Sequence, residues 1–467
     1  MTAIIRSYAA VIAHRPVLVL WTGLGTAAAL GLMAALRPLD VQGVIVVPFL
    51  VGAAIAVFRR GFGSFSNGAW LTRIATTGML VRLGFVLVHL AVGFWFYRGE
   101  IDFIGWQRIV SDILGAYVQG HSLDFSGTKS GGSLGDMGIG NLVSLVLLVL
   151  IGVVTGPTLL GMFPACAVLG ALGAYLFLRA HQTTFPTMVE NRFLPRALFL
   201  LPSVAFWSIF LGKDSLTFFL LGGVTYALAR LLRKFRLRDL GGLAVSFLIL
   251  VGVRPHVAIA VSVGLALALG FRPLDRRGHA GFLWPLKRLA LLALVAGAGF
   301  VMASQGLWQI GLQELTLEAL AERAYTQQRG FARTEAASAL PQTMESAEPE
   351  DVIGSIPFGV FTLLFRPLPW EAHNVLAVVA AAENVFLMGL VLWRWRSLLA
   401  SFRAAGSQPF MLYTLLALLA GAITLSFNWN LGTLARHRTM VLPYLLILLA
   451  GPAEPPRRTK AILRPNE

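Results

Sequence analysis

The sequence predicts an all-α, polytopic integral membrane protein, and three observations support this fold class. First, 57% of the 467 residues are hydrophobic and only 13% are charged, whereas a soluble domain carries about 25% charged residues. Second, the mean hydropathy is +0.74, and apolar runs near the length of a bilayer-crossing helix recur along the chain. Third, arginines and lysines gather between these runs. The composition excludes disordered, collagen-like, coiled-coil and disulfide-rich secreted proteins.

The basic residues indicate how the chain is oriented. The formal net charge is +16, but short basic segments between apolar runs are typical of the cytoplasmic side of a membrane, not of a nucleic-acid groove. The single cysteine, Cys166, excludes an internal disulfide. The first apolar run, 17–36, is long enough to stay as a membrane anchor, so no cleavable signal is predicted. The basic segments lie at 59–73, 230–238, 272–288, 394–403 and 457–464.

Placing these segments in the cytoplasm predicts about twelve crossings, with both termini inside. If two short apolar stretches, 139–154 and 354–368, were counted as full crossings, the basic segments could not all lie in the cytoplasm. These two stretches are therefore predicted to lie in or along the outer leaflet. We expect one transmembrane domain over 1–452, outer segments at 99–155, with a surface helix, and 306–373, and a basic cytoplasmic tail at 453–467. The predicted spans are 17–36, 43–58, 78–98, 156–179, 196–211, 215–231, 240–253, 256–271, 288–305, 374–393, 409–427 and 439–452.

Two acidic residues follow the third predicted span, where the chain enters the first outer segment. Glu100 and Asp102 stand there, ahead of the surface helix predicted from Trp106 to Val118. A carboxylate at the outer mouth of a span can accept the proton of an incoming hydroxyl group. A solvated loop acid is the alternative interpretation.

Two polar turns interrupt apolar sequence farther along the predicted outer face. Lys213 and Asp214 form the first, and Lys213 is one of five lysines among 38 basic residues. An ammonium beside a carboxylate can bind a phosphate oxygen, or it can form an ion pair between helix ends. Arg254 and His256 flank a proline in the second turn. A charge near the membrane face needs compensation, so a functional role is predicted, with a hairpin turn as the alternative.

A third basic group precedes the last predicted span. Arg436, His437 and Arg438 stand where the positive-inside rule expects few cations. Arginine binds phosphate through a rigid fork, so this group predicts a diphosphate site, with snorkelling to the headgroups as the alternative. Glu371 and His373, in a proline-rich segment, are candidates for the rim of a cavity. The histidines have no metal-ligand spacing, and no metal or other cofactor is predicted.

Together these motifs resemble a group of bacterial membrane proteins associated with surface-polysaccharide synthesis, the GT-C class glycosyltransferases and the polymerases of lipid-linked repeat units. Members of the class place an acid in the first outer loop, often followed by a tyrosine. Here Asp102 matches the acid, and Glu100 is the alternative candidate. Trp106 occupies the position where the class often has a tyrosine. The matching residues are Pro202-Ser203-x-x-Phe206-Trp207-Ser208, Lys213-Asp214, Arg254-Pro255-His256, Pro369-Trp370-Glu371-Ala372-His373-Asn374 and Leu434-Ala435-Arg436-x-Arg438.

The resemblance implies a GT-C-like enzyme that transfers a sugar, with inversion, from polyprenyl phosphate or diphosphate on the outer face of the bacterial inner membrane. The implied partners are the lipid bilayer, the polyprenyl-linked sugar and an oligosaccharide or polysaccharide acceptor, without nucleic acid. Two alternatives stay open. A repeat-unit polymerase or ligase relies more on arginines and histidines than on one acid. A precursor transporter or flippase, which is no enzyme, is expected to have matching broken helices in its two halves, and the sequence has no such match.

Overall fold

The computed structural model describes residues 41–120, 139–188, 190–270, 317–332, 346–372, 375–427 and 430–452. Within these ranges the chain is helical and forms no strand, which confirms the all-α prediction. The predicted spans at 17–36 and 288–305 and the tail at 453–467 lie outside the described residues. The described helices are α1 (Val41–Phe62), α2 (Gly68–Ala91), α3 (Asp102–Val118), α4 (Ile139–Thr155), α5 (Leu159–Thr184), α6 (Phe193–Leu200), α7 (Pro202–Trp207), α8 (Lys213–Arg233), α9 (Leu237–Val253), α10 (Pro255–Gly270), α11 (Leu317–Ala332), α12 (Pro349–Phe365), α13 (Val375–Trp393), α14 (Trp395–Ala405), α15 (Pro409–Ser426) and α16 (Leu431–Ala450).

Five helices of the described residues are long and apolar enough to cross a membrane. A sixth crossing results if α13 and α14, which are bent by 65° at their junction, form one broken span. Helices α4 and α10 are apolar but shorter. The chain therefore has the helices of a multi-pass membrane protein, and the described part does not reach the twelve predicted spans. The five long helices are Gln42–Phe62, Gly68–Phe96, Leu159–Thr184, Lys213–Arg233 and Pro409–Ser426.

Two predicted span boundaries are wrong because charged residues continue a helix. The third span, expected at 78–98, begins at Gly68, and Arg73 lies exposed on α2 instead of in a basic loop. The helix that contains the last predicted span, 439–452, begins at Leu431, where the Asn430 side chain caps it by accepting a hydrogen bond of 3.1 Å from the Thr433 N–H. Arg436, His437 and Arg438 therefore lie within α16, not ahead of it.

The span predicted at 196–211 is not one helix, because Pro202 separates α6 from α7. Proline has no N–H, so the Leu198 carbonyl loses its helical partner. The Ser203 N–H donates instead to Oε1 of Glu383, at 2.8 Å, which leaves the Phe199 carbonyl without its helical partner. Arg82 of α2 donates to both carbonyls, at 3.1 and 2.9 Å. Two charged side chains from other helices therefore satisfy the broken backbone.

Helices α5 and α8 form the centre of the bundle and run parallel. Their backbones approach closely at glycines: a Cβ on Gly222 would lie 2.7 Å from the Gly173 carbonyl oxygen. Small residues permit such close contact between helices in a membrane. Because the two helices are parallel and start near each other, their N-termini share one end of the bundle.

The basic segments that the structure describes, at 59–73, 230–238 and 394–403, lie at the opposite end, where α5, α8 and α16 finish. Thr184 and Arg233, at the C-termini of α5 and α8, line one cavity with Gln408. His181 Nε2 lies 3.2 Å from the Gly451 carbonyl oxygen, beyond the end of α16. Arg394 donates to the Leu449 carbonyl at 2.6 Å. We call this the basic end, and the end that holds the N-termini of α8 and α16 the site end.

Candidate functional site

Four chain segments bring charged side chains together at the site end. They are the N-terminus of α3, the N-terminus of α8, the turn between α9 and α10, and the first two turns of α16. Each helix start presents backbone N–H groups that lack helical partners. The side chains brought together are Asp102, Lys213, Asp214, Arg254, His256, Arg436 and His437.

Asp214 is the buried centre of this group, with 3% of its side chain exposed. One carboxylate oxygen accepts a hydrogen bond from Arg254, which is itself 7% exposed. The other oxygen accepts two from Arg436, at 2.7 Å from Nη2 and 3.1 Å from Nε. A carboxylate this buried is tolerated because both oxygens are paired with cations. Asp214 thereby fixes the position of two arginines that come from distant parts of the sequence.

Arg436 connects the buried centre to the surface. Its Nη1 donates to Asp102 at 2.7 Å, and Asp102, the first residue of α3, is 63% exposed. The guanidinium also lies over the Phe210 ring, 4.2 Å from the ring centroid, in a cation–π contact. The exposed carboxylate is therefore held beside the cationic group by an ion pair.

The turn before α8 is shaped by a glycine. Gly212 has a φ of 141°, and a Cβ there would lie 3.1 Å from Cδ1 of Trp106 on α3. A side chain at this position would be strained and would also push α3 away. Trp106, which stands where the resembling family has a tyrosine, thus packs α3 against the turn that begins α8. This contact sets the spacing between Asp102 and Asp214.

Several polar side-chain atoms around Asp214 have no partner among the described residues. Nε of Arg254 and Nδ1 of His437 are buried and unpaired within that part of the chain. The half-buried Lys213 ammonium, in the same electrostatic environment as Arg254 and Asp214, pairs with no described residue. Three cations against two carboxylates leave this group with an excess positive charge. Unpaired buried donors are costly, so the arrangement fits an anionic ligand with several oxygen acceptors.

The histidines of the group lie beside Arg254. His437 is within electrostatic range of Arg254, Asp214 and His256, and His256, the second residue of α10, has an exposed side chain. Among the described residues, no three His, Cys, Asp or Glu side chains converge in a way that could hold a metal ion. The positive charge of this group therefore comes from its arginine and lysine side chains.

Arg438 is placed apart from this group, although it lies two residues after Arg436. Its side chain is 1% exposed and points into the bundle. It donates to the Leu364 carbonyl at 3.1 Å and to Oδ1 of Asn384. Residues two apart on a helix face different directions, so Arg436 and Arg438 cannot grip one ligand as a pair. Arg438 instead joins α16 to α12 and α13.

The other predicted site residues also lie outside the group. Glu371 binds Arg366 and accepts a 2.7 Å hydrogen bond from the Leu368 N–H. Partial burial opposes ionisation of Glu371, but these bonds hold the pKa of its carboxyl below the usual range. Glu100 is exposed, and its side chain forms no hydrogen bond or ion pair with the described part of the chain. His373 is not among the described residues.

Comparisons with protein-family models, with curated proteins and with solved structures find no match to this chain. Function is therefore inferred from the side chains and their arrangement. The group at the site end combines an exposed carboxylate, a buried carboxylate and three cations within one helical bundle.

Proposed function

We propose that the protein is a GT-C-like membrane glycosyltransferase that takes a sugar from a polyprenyl phosphate or diphosphate. The acceptor is an oligosaccharide or polysaccharide on the outer face of the bacterial inner membrane. In this proposal the chain crosses about twelve times, both termini are cytoplasmic, and the site end faces outward.

The observation that carries the proposal is the bridge formed by Arg436. It binds the buried Asp214 and the exposed Asp102 at once, with Lys213 and Arg254 beside Asp214. Transfer from a lipid phosphate needs a cationic site for the leaving phosphate and a carboxylate for the acceptor's proton. This group supplies both, on different helices and next to each other.

The proposed step is a direct displacement. The acceptor hydroxyl oxygen forms a bond to the anomeric carbon while the bond from that carbon to the phosphate oxygen breaks. The bonding electrons leave with the phosphate, whose charge Arg436, Arg254 and Lys213 stabilise. The hydroxyl proton passes to Asp102, which is exposed enough to meet an acceptor. Attack from the face opposite the phosphate inverts the anomeric centre.

One observation supports the alternative function, a repeat-unit polymerase or ligase. His437 presents an unpaired buried Nδ1 beside Arg254, with His256 nearby. A histidine in this position could take the proton that the first proposal assigns to Asp102. The two proposed functions share the phosphate site and differ only in the side chain that acts as the general base.

The deciding experiment compares Asp102→Asn with Glu100→Gln and His437→Gln in purified protein. Release of polyprenyl phosphate is measured from a panel of polyprenyl-phosphate-linked hexoses in the presence of oligosaccharide acceptors. General-base assistance contributes about a hundred- to ten-thousandfold, so we expect Asp102→Asn to lose that much turnover. Asp112→Asn is the matched control, because Asp112 is an exposed acid on the same helix.

Each result has a distinct meaning. If only Glu100→Gln loses turnover, Glu100 and not Asp102 is the general base. Loss in His437→Gln with an active Asp102→Asn favours the polymerase or ligase mechanism. If no linked sugar is turned over but the protein moves labelled lipid between leaflets of a vesicle, the transporter alternative replaces the enzyme.

A further inference from the structure

An apolar cleft of about 430 Å³ lies next to the site end, between α4, α5 and α8, with α1 and α9 at its edges. Its walls are almost entirely aliphatic. The one hydroxyl that lines it, on Thr155, is used internally as a donor to the Ile151 carbonyl at 2.9 Å. Side chains that represent the three walls are Leu150, Val154, Val168, Leu172, Leu216 and Leu220.

The cleft and the charged group share helix α8, whose first residues belong to the charged group and whose next turns line the cleft. Lys213, Leu216 and Leu220 are spaced by three and four residues on α8, so they share one face of that helix. Lys213 therefore starts the helix face that lines the cleft, one turn before Leu216, while the neighbouring Asp214 belongs to the ion-pair group. Lys213 pairs with none of the described residues. A cation at the mouth of an apolar cleft is the arrangement that receives an anionic head with a hydrocarbon chain.

The cleft also opens on the surface of the described helices. Leu150 and Val154 on α4 are 57% and 54% exposed, so a chain longer than the cleft can continue into the bilayer without crossing the bundle. The cleft volume falls within the range of sites that bind small hydrophobic ligands.

We propose that this cleft binds the first isoprene units of the lipid carrier, whose phosphate lies at Lys213 and Arg436. The inference rests on the proposed function and adds the route of the lipid, which runs between α4 and α8. Lysine suits the junction because its flexible stem can pack along the chain while its charge meets the phosphate.

The test uses two adjacent valines of α4 that are equally exposed. Val154, at 54%, lines the cleft, and Val153, at 55%, does not. We expect Val154→Trp to block the cleft and Val153→Trp to leave it open, and exposed positions tolerate a large side chain. The full chain is placed in nanodiscs of neutral phospholipid and labelled with a polyprenyl monophosphate that carries a diazirine on its first isoprene units.

In the wild type we expect labelling of the peptides that contain residues 154 and 220. In Val154→Trp this labelling should fall by about tenfold, which corresponds to a loss in binding free energy of about 1.4 kcal/mol. In Val153→Trp the labelling should not fall. A diazirine-bearing phosphatidic acid should label these peptides weakly. Equal labelling by phosphatidic acid would make the cleft a general lipid site and overturn the proposal.

Two further results separate this inference from the proposed function. If Val154→Trp labels like the wild type while Arg436→Ala does not, the phosphate site stands and the cleft assignment is wrong. If neither the wild type nor any variant is labelled, the polyprenyl donor itself is wrong, and both proposals fail.

Discussion

Arg436 is the residue on which the chemistry of the site depends, because it binds both carboxylates. The exposed Asp102 competes with an incoming phosphate for this guanidinium. We therefore expect Asp102→Asn to bind a polyprenyl monophosphate more tightly than the wild type, by up to about fivefold, since an exposed ion pair is worth about 0–1 kcal/mol. The same variant should lose turnover, so affinity and rate change in opposite directions.

Binding is measured in nanodiscs by competition with a labelled polyprenyl monophosphate. Asp112→Asn should bind like the wild type, and Arg436→Lys should bind more weakly, because lysine cannot make the two-pronged contact. Weaker binding in Asp102→Asn would show that Asp102 holds Arg436 in its binding position instead of competing for it.

At the residue scale, the sequence identified the types of side chain but not their partners. Asp102, Asp214 and Arg436 were all candidates, yet their contacts join positions 334 and 222 residues apart, which no local pattern encodes. Phe210 was missed because an aromatic residue in an apolar run has no distinguishing signal. Arg438 was grouped with Arg436 by proximity in sequence, although helix geometry turns it the other way.

At the scale of elements, the break between α6 and α7 could be predicted in part from the sequence. Pro202 stands in the middle of the span predicted at 196–211, and a proline inside a helix removes a backbone hydrogen bond. The hydrogen bonds that compensate for the broken helix could not be predicted from the sequence. Arg82 and Glu383 come from α2 and α13, 116 and 180 residues from the atoms they bind, and charges in apolar runs do not reveal their partners in the sequence.

This compensation predicts that Arg82 is required for folding and not for catalysis. Replacing Arg82 with leucine leaves the Leu198 and Phe199 carbonyls without donors in an apolar bundle. Each unsatisfied group costs about 1–3 kcal/mol, so Arg82→Leu should lower the free energy of unfolding by about 2–6 kcal/mol. The check is thermal unfolding in detergent, with Arg73→Leu on the exposed face of the same helix as the control. Unchanged stability in Arg82→Leu would mean that water or a rearranged backbone satisfies these carbonyls.

At the scale of the whole molecule, the arginine pattern predicted a separation that the described helices also have. Asp102, Arg254 and Arg436 gather at one end, while Arg230 and Arg394 lie at the other. Charge between spans can predict such a separation because it does not depend on contacts, and the cytoplasmic side of the basic end stays a prediction. The number of crossings was harder to predict, because short helices such as α4 and α10 can cross, tilt or lie in one leaflet.

The orientation of the two ends can be tested with single cysteines in a Cys166→Ser background. Glu100→Cys lies at the site end and Ser407→Cys at the basic end, and both positions are exposed. A membrane-impermeant maleimide should label Glu100→Cys in intact spheroplasts, and should label Ser407→Cys only after the membrane is permeabilised. Cys166 itself is buried, so the Cys166→Ser background is first checked for a normal protein level. The reverse pattern would place the cation group in the cytoplasm, where the donor is assembled, and would contradict transfer on the outer face. Labelling of both positions from one side would mean that α8 and α16 do not cross the membrane between their ends.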